Sequence, residues 1–216
     1  MKKFLSIFLF IGASFLSSDD EDFAYSYVDL DIVQAEDTGY GATISLGLPS
    51  SLYLRGSIEE VDAEIETEVF QKSSSIVSLG IHVSIADILK NVTKNGFQFN
   101  FTRFMDFYAE VGADKWELES LAQLSEAGTD IYVRGGIRMG DSEGWETNLY
   151  LENRSLAEVE INKESGEADY TLSEEINNTL GIRFTNNFHE NMSVNINLGN
   201  DDIIGSTASV GIRFRL

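Results

Sequence analysis

The sequence predicts an all-β fold, an antiparallel up-and-down transmembrane β-barrel of ten strands, with eight as the alternative. Three observations predict it. The final stretch 208–216 places Ala208, Val210, Ile212, Phe214 and Leu216 at every second position, with Ser209, Gly211, Arg213 and Arg215 between them. The opening residues follow the order of a secretion signal. Met1-Lys2-Lys3 comes first, then an apolar run over 4–13, then small residues and the acidic cluster Asp19-Asp20-Glu21-Asp22. Between these ends the chain alternates repeatedly, and it offers no other stretch approaching the ~20 apolar residues of a spanning helix. The expected organisation is a signal peptide over 1–18 and a barrel over 19–216. Cleavage after Ser14 places Gly12 and Ser14 at the small positions, with later sites also open.

The strands are read in order from their period-two alternation. Segment 25–33 sets Val28, Leu30 and Ile32 against Tyr27, Asp29 and Asp31. Segment 40–48 sets Ala42, Ile44 and Leu46 against Gly41, Thr43 and Ser45. After the Pro49-Ser50-Ser51 turn, 52–59 sets Leu52, Leu54 and Ile58 against Tyr53, Arg55, Ser57 and Glu59. Segment 76–84 sets Val77, Leu79, Ile81 and Val83 against Ser78, Gly80 and His82. Segment 105–118 sets Phe107, Ala109 and Val111 against Asp106, Tyr108, Glu110 and Asp114. Segment 130–139 sets Ile131, Val133 and Ile137 against Tyr132, Arg134 and Arg138. Segment 145–152 sets Trp145, Leu149 and Leu151 against Glu146, Asn148, Tyr150 and Glu152. Segments 179–184 and 192–198 follow, with Arg183 on the polar face of the first and Asn195 on that of the second.

A soluble barrel turns such apolar faces inward. The signal sequence and the terminal strand instead favour apolar-out, in the bacterial outer membrane. There a one-residue slip would carry Arg134 and Arg138 into hydrocarbon, at about 2–4 kcal/mol each near the midplane. The composition agrees. The formal net charge of −21 becomes −23 once Lys2 and Lys3 leave, which argues against a nucleic-acid partner. The chain has no cysteine, hence no disulfide and no lipid-attachment thiol, and a single proline.

A Gly-Ile pair followed by a basic residue or His recurs at Gly80, Gly136, Gly181 and Gly211, always on even-numbered strands. With both termini periplasmic, those strands run downward, and inward glycines make room in a narrow lumen. Connections 49–51, 140–144 and 185–191 read as short periplasmic turns. Connections 60–75, 119–129 and 153–178 read as longer extracellular loops. Segment 85–104 breaks this rule, with helical spacing in its first half and Phe97, Phe99 and Phe101 at strand spacing in its second.

These stretches resemble a family of small, acidic proteobacterial outer-membrane β-barrels, porin-like and OmpA-like. The resemblance rests on Tyr27-Val28-Asp29, Gly39-Tyr40-Gly41, Leu52-Tyr53-Leu54-Arg55-Gly56-Ser57, Asp106-Phe107-Tyr108-Ala109-Glu110-Val111-Gly112 and Gly211-Ile212-Arg213-Phe214. It implies the barrel and its location, and no agreed activity. The chain ends in Leu216 where such barrels commonly end in an aromatic residue; Phe214, on the same face, is the substitute.

The candidate site is a lumen charge network of Arg55, Glu59, Asp106, Glu110, Asp114, Arg134, Arg138, Glu146, Glu152, Arg183 and Arg213. Buried charges must pair, and the arginine fork pairs well with carboxylates. Paired charges fill a narrow barrel; unpaired ones line a pore for ions or small solutes. Catalysis is not expected, because neither His82 nor His189 stands beside a nucleophile motif. The ridge Glu60, Asp62, Glu64, Glu66 and Glu68 lacks calcium-loop spacing and reads as a solvated face. No cofactor or metal is expected. The expected partners are outer-membrane lipid, lipopolysaccharide through divalent cations, and the barrel-assembly machinery through the last strand. The expected state is a monomer with an envelope-structural or surface-interaction role.

Overall fold

A computed structural model describes residues 23–35, 37–65, 68–85, 105–120, 125–141, 143–154, 159–161, 170–172, 177–201 and 205–216. The expected signal peptide over 1–18 and nearly all of 85–104 lie outside these residues. Twelve strands occur in the order β1 (Tyr27–Gln34), β2 (Thr38–Leu48), β3 (Leu52–Ile65), β4 (Glu68–Ser84), β5 (Met105–Ser120), β6 (Ser125–Gly140), β7 (Trp145–Arg154), β8 (Val159–Ile161), β9 (Tyr170–Leu172), β10 (Asn177–His189), β11 (Met192–Asp201) and β12 (Gly205–Arg215). Ten of them close a barrel in the order β1-β12-β11-β10-β7-β6-β5-β4-β3-β2, and β8 pairs only with β9. Every pairing is antiparallel, and chain neighbours pair except where β7 meets β10 past the β8–β9 hairpin and where the ring closes. β1 closes the ring against β12, from Tyr27 opposite Arg215 to Gln34 opposite Ala208.

The faces are the reverse of a soluble barrel. On β1, Asp29 has 0% exposure and Asp31 is buried, while Leu30 and Ile32 are exposed. The same inversion runs round the wall, with Val77, Val111, Ile131, Leu151, Leu180 and Val210 outward. Alternation specifies this because the pleat sends successive side chains to opposite faces. Buried polar groups then line the inside of nine of the ten barrel strands, while on β3 Tyr53 and Val61 are the buried positions and Arg55 is half-buried.

The recurring glycines have a shared physical role. Tyr53 on β3 stands opposite Gly80 on β4, Tyr108 on β5 opposite Gly136 on β6, and Tyr150 on β7 opposite Gly181 on β10. In each pair the tyrosine side chain comes so close to the glycine that a Cβ there would overlap it. Gly211 on β12 accommodates Asp31 of β1 in the same way. Aromatic cover of a strand glycine is a known device for pinning curved sheets. At the lower end, the β2–β3 turn holds Ser50 and Ser51 at φ values of 68° and 60°.

Several boundaries differ from the sequence expectation. The 60–75 loop is largely wall: β3 continues to Ile65 and β4 begins at Glu68. The 119–129 loop likewise shrinks between Ser120 and Ser125. The 185–191 turn is mostly strand, since β10 reaches His189 and leaves only Glu190 and Asn191 to turn. The 153–178 loop carries the β8–β9 hairpin. Alternation records a contrast between the two faces. Where a strand rises beyond that contrast its backbone ladder continues, but the pattern fades. Tyr25 is the opposite error. It does not begin β1 but turns into the lumen.

Candidate functional site

The lumen divides into a lower half, at the end where β1 begins and β12 ends, and an upper half. The lower half is built on carboxylates held by arginine forks. Arg213 of β12 grips Asp29 through Nε and Nη2 at 2.8 and 2.9 Å. Arg183 of β10 adds Nη1 to the same carboxylate at 2.7 Å. Arg138 of β6 donates Nη2 to Glu146 at 2.7 Å, and Glu146 also accepts from Asn187 at 2.8 Å and Arg215 at 3.3 Å. Such charge-assisted, partly bidentate bonds compensate desolvation.

Below these pairs the chain seals its own lower mouth. Phe23 and Tyr25 are 1% and 6% exposed. The Tyr25 ring stacks on His82 at 3.8 Å and 13°, and its hydroxyl donates to Asp106 at 3.2 Å. The Arg138 guanidinium lies 4.9 Å from the Phe23 ring centre and 4.8 Å from that of Tyr25. Its Nη1 donates to the Ala24 carbonyl at 3.2 Å. One arginine thus clamps three consecutive residues. The ladder explains why the chain turns here: Leu216 donates to the Ser26 carbonyl at 3.0 Å, and β12 ends there.

A relay crosses the middle. The Tyr53 hydroxyl and Ser78 donate to Glu110 at 2.9 and 3.2 Å. Arg55 donates to Glu110 at 3.3 Å and to the Tyr132 oxygen at 2.9 Å. Tyr132 passes its own proton toward Glu152 at 3.0 Å. Above it, Arg154 bridges Glu152 at 2.5 Å and Asp114 at 3.2 Å, and Ser74 caps Asp114 at 2.5 Å.

Of the eleven residues expected in the network, Arg55, Glu110, Asp114, Arg138, Glu146, Glu152, Arg183 and Arg213 sit in arginine–carboxylate pairs. Asp106 faces His82, 3.6 Å away, and Tyr25 instead. Arg134 and Glu59 have no hydrogen bond or ion pair among the described residues. Arg134 rests on rings, 4.0 Å from the centre of Tyr150 and 5.9 Å from that of Tyr108.

Several participants were missed, among them Arg215 of β12, which donates to Glu146. Asp29 and Asp31 carried a signal, the polar face of the first segment. Arg154 lay just past the expected end of its strand, and Lys72 fell in an expected loop. Tyr25 was counted in the wall. His189 lies exposed at the end of β10, where its Nδ1 accepts from the Asn191 amide at 3.3 Å. Of the acidic ridge, the structure describes the side chains of Glu60 and Asp62; Glu64, Glu66 and Glu68 lie outside it. Among the described residues no group of His, Asp and Glu is placed to hold a metal ion.

Two cavities lie in the lumen among the described residues. The lower, of about 30 Å³, lies among Tyr25, Tyr53, Arg138 and Arg213. The upper, of about 100 Å³, lies among Asp31, Glu59, Lys72, Ser74, Arg154 and Thr179. At roughly 10–15 Å³ per water, the lower holds about two waters and the upper about eight. Arg55, Arg134 and Arg183 border both cavities and form the waist between them.

No protein-family model matches the chain, and no curated protein does. Among solved structures, the chain is similar to the KdgM porin at 8% identity and a TM-score of 0.44, over 88% of this chain and 99% of that one. The N-terminal β-barrel domain of Pseudomonas aeruginosa OprF gives 12% identity and a TM-score of 0.43, over 90% and 100%. The CymD monoaromatic hydrocarbon channel gives 7% and 0.41, over 91% and 89%. These are likenesses of chain path, and no residue role is carried over from them.

Proposed function

We propose that this chain is a non-enzymatic barrel of the bacterial outer membrane, with an envelope-structural or surface-interaction role and a lumen filled by charged side chains. The observation that carries the proposal is the inversion of the wall. Trp145 and Leu180 are 64% and 66% exposed on the outside, while Asp29 is fully enclosed within. Water does not tolerate so continuous an apolar belt, and lipid requires it. Closure of the barrel supports the same reading, because a spanning sheet leaves no backbone edge in hydrocarbon. Export by the signal sequence, assembly through β12 and cation-bridged contact with lipopolysaccharide belong to this proposal. Two substitutions test it. Val210→Asp and Ile212→Asp place a carboxylate on the outer face of β12, and both are expected to abolish assembly into membranes. Normal assembly of both variants would undo the outward assignment.

A second reading, a narrow channel for ions or small solutes, is favoured by one observation: the two cavities lie in series across a shared arginine waist. Single-channel current across a planar bilayer decides between them. Silence from inserted protein supports the filled barrel. Steps whose size or ion preference changes in Arg138→Ala support the channel.

A further inference from the structure

We infer that charge closes the barrel: Asp29 and Asp31 of β1 dock onto Arg183 and Arg213 at the far edge of the sheet, and this docking completes the ring. The two ends of the sheet carry opposite charge. β1 and β2 hold Asp29 and Asp31 and no basic residue. β10, β11 and β12 hold Arg183, Arg213 and Arg215 against one carboxylate, Asp201. Asp201 ends β11 at the upper side, where Thr179 donates to it at 2.7 Å. The first hairpin thus arrives with carboxylates that none of its own cations can answer, and the last three strands with an excess of arginine.

The contacts across the seam are made by these groups. Asp29 stands directly opposite Arg213 and accepts from its Nε and Nη2. Arg183 reaches the same carboxylate from β10, past two intervening strands, at 2.7 Å, and lies 3.7 Å from Asp31. Asp31 fills the place a Cβ would take on Gly211 of β12. The Arg213 guanidinium lies 4.0 Å from the centre of the Tyr27 ring of β1. Arg55 acts on Asp29 and Glu146 on Arg213, but their own bonds do not cross the seam: Arg55 pairs with Glu110, and Glu146 with Arg138 and Arg215. The seam is also the pairing that chain entropy opposes most. Asp29 and Arg213 are 184 positions apart, farther than the partners of any other pairing in the ring. Opposite charges attract beyond contact range, over about 8 Å at physiological salt, and so steer the two ends together. Closure is needed in a micelle as in a bilayer, so the inference stands apart from the proposed function.

The test follows refolding of the full chain in nonionic micelles. The chain has no cysteine, so introduced pairs are its only thiols. Ile32→Cys with Val210→Cys reports the seam, and Val111→Cys with Val133→Cys reports the β5–β6 hairpin. Each pair stands directly opposite on the outer face, close enough for a disulfide. Samples oxidised at intervals give the rate at which each pairing forms, and the seam is expected to form last. Raising salt from about 0.05 to about 1 M should slow the seam about tenfold and leave the hairpin unchanged. Asp29→Asn should slow the seam by a similar factor and abolish its salt response, and Arg183→Gln should act in the same direction. A seam as fast in Asp29→Asn as in wild type, equal slowing of seam and hairpin, or a salt response that survives in Asp29→Asn would each overturn the inference. The salt series on the wild-type side chains stands even if a variant fails to fold: a seam rate indifferent to salt would overturn it alone.

Discussion

The lower and upper halves of the lumen use the same residue types to opposite ends. Below the waist, arginines outnumber the carboxylates they grip, each carboxylate has two or three partners, and an aromatic segment fills the mouth. Above it, the cavity is about three times larger, and Lys72, Arg134 and Glu59 make no direct ion pair among the described residues. Charge inside a barrel is therefore neither stabilising nor functional in itself. What matters is whether each group is committed to another group of the same chain.

Four substitutions sharpen or break that contrast. Arg138→Ala removes the shortest contact of Glu146 and releases Phe23–Tyr25, and breaking a buried pair costs about 3 kcal/mol. The urea midpoint of refolding should fall accordingly; an unchanged midpoint means the lower half is not a committed network. Tyr25→Ala deletes the stacked ring and the bond to Asp106, costing about 2 kcal/mol. It should also raise ion permeation through inserted barrels, and current equal to wild type would show that the mouth is closed by other groups. Gly181→Ala forces Tyr150 off its seat, at about 1–2 kcal/mol. An unchanged melting temperature would show that the ring is not tightly seated. Lys72→Met removes an upper-half cation that makes no direct ion pair among the described residues, and stability should shift by under about 1 kcal/mol in either direction. A loss as large as that of Arg138→Ala would erase the difference between the halves.

The sequence showed the wall better than its contents. Strand identity and facing were legible because the environment differs so sharply on the two sides of each strand, as Leu30 beside Asp29 illustrates. Strand ends were less so. Lys72 and Arg154 lie where apolar residues no longer alternate, yet backbone pairing carries them inward. Pairing partners were not legible at all, because they depend on the stagger between strands that are distant along the chain. Arg183 meets Asp29 across 154 positions. Tyr25 kept the alternation of β1 but lost its neighbour where β12 ends, which no local pattern records.

The tyrosines seated on glycines have a consequence for assembly fidelity. Alternation penalises a slip of one residue, since every side chain would change face. A slip of two preserves both faces and passes unnoticed by that criterion. If β4 slid by two against β3, Tyr53 would meet Ser78 or His82 in place of Gly80, and the seat would be gone. The same holds for Tyr108 with Gly136 and for Tyr150 with Gly181. Each of these three strand pairs thus carries a check on the even-numbered misalignments that hydrophobic patterning alone would let through.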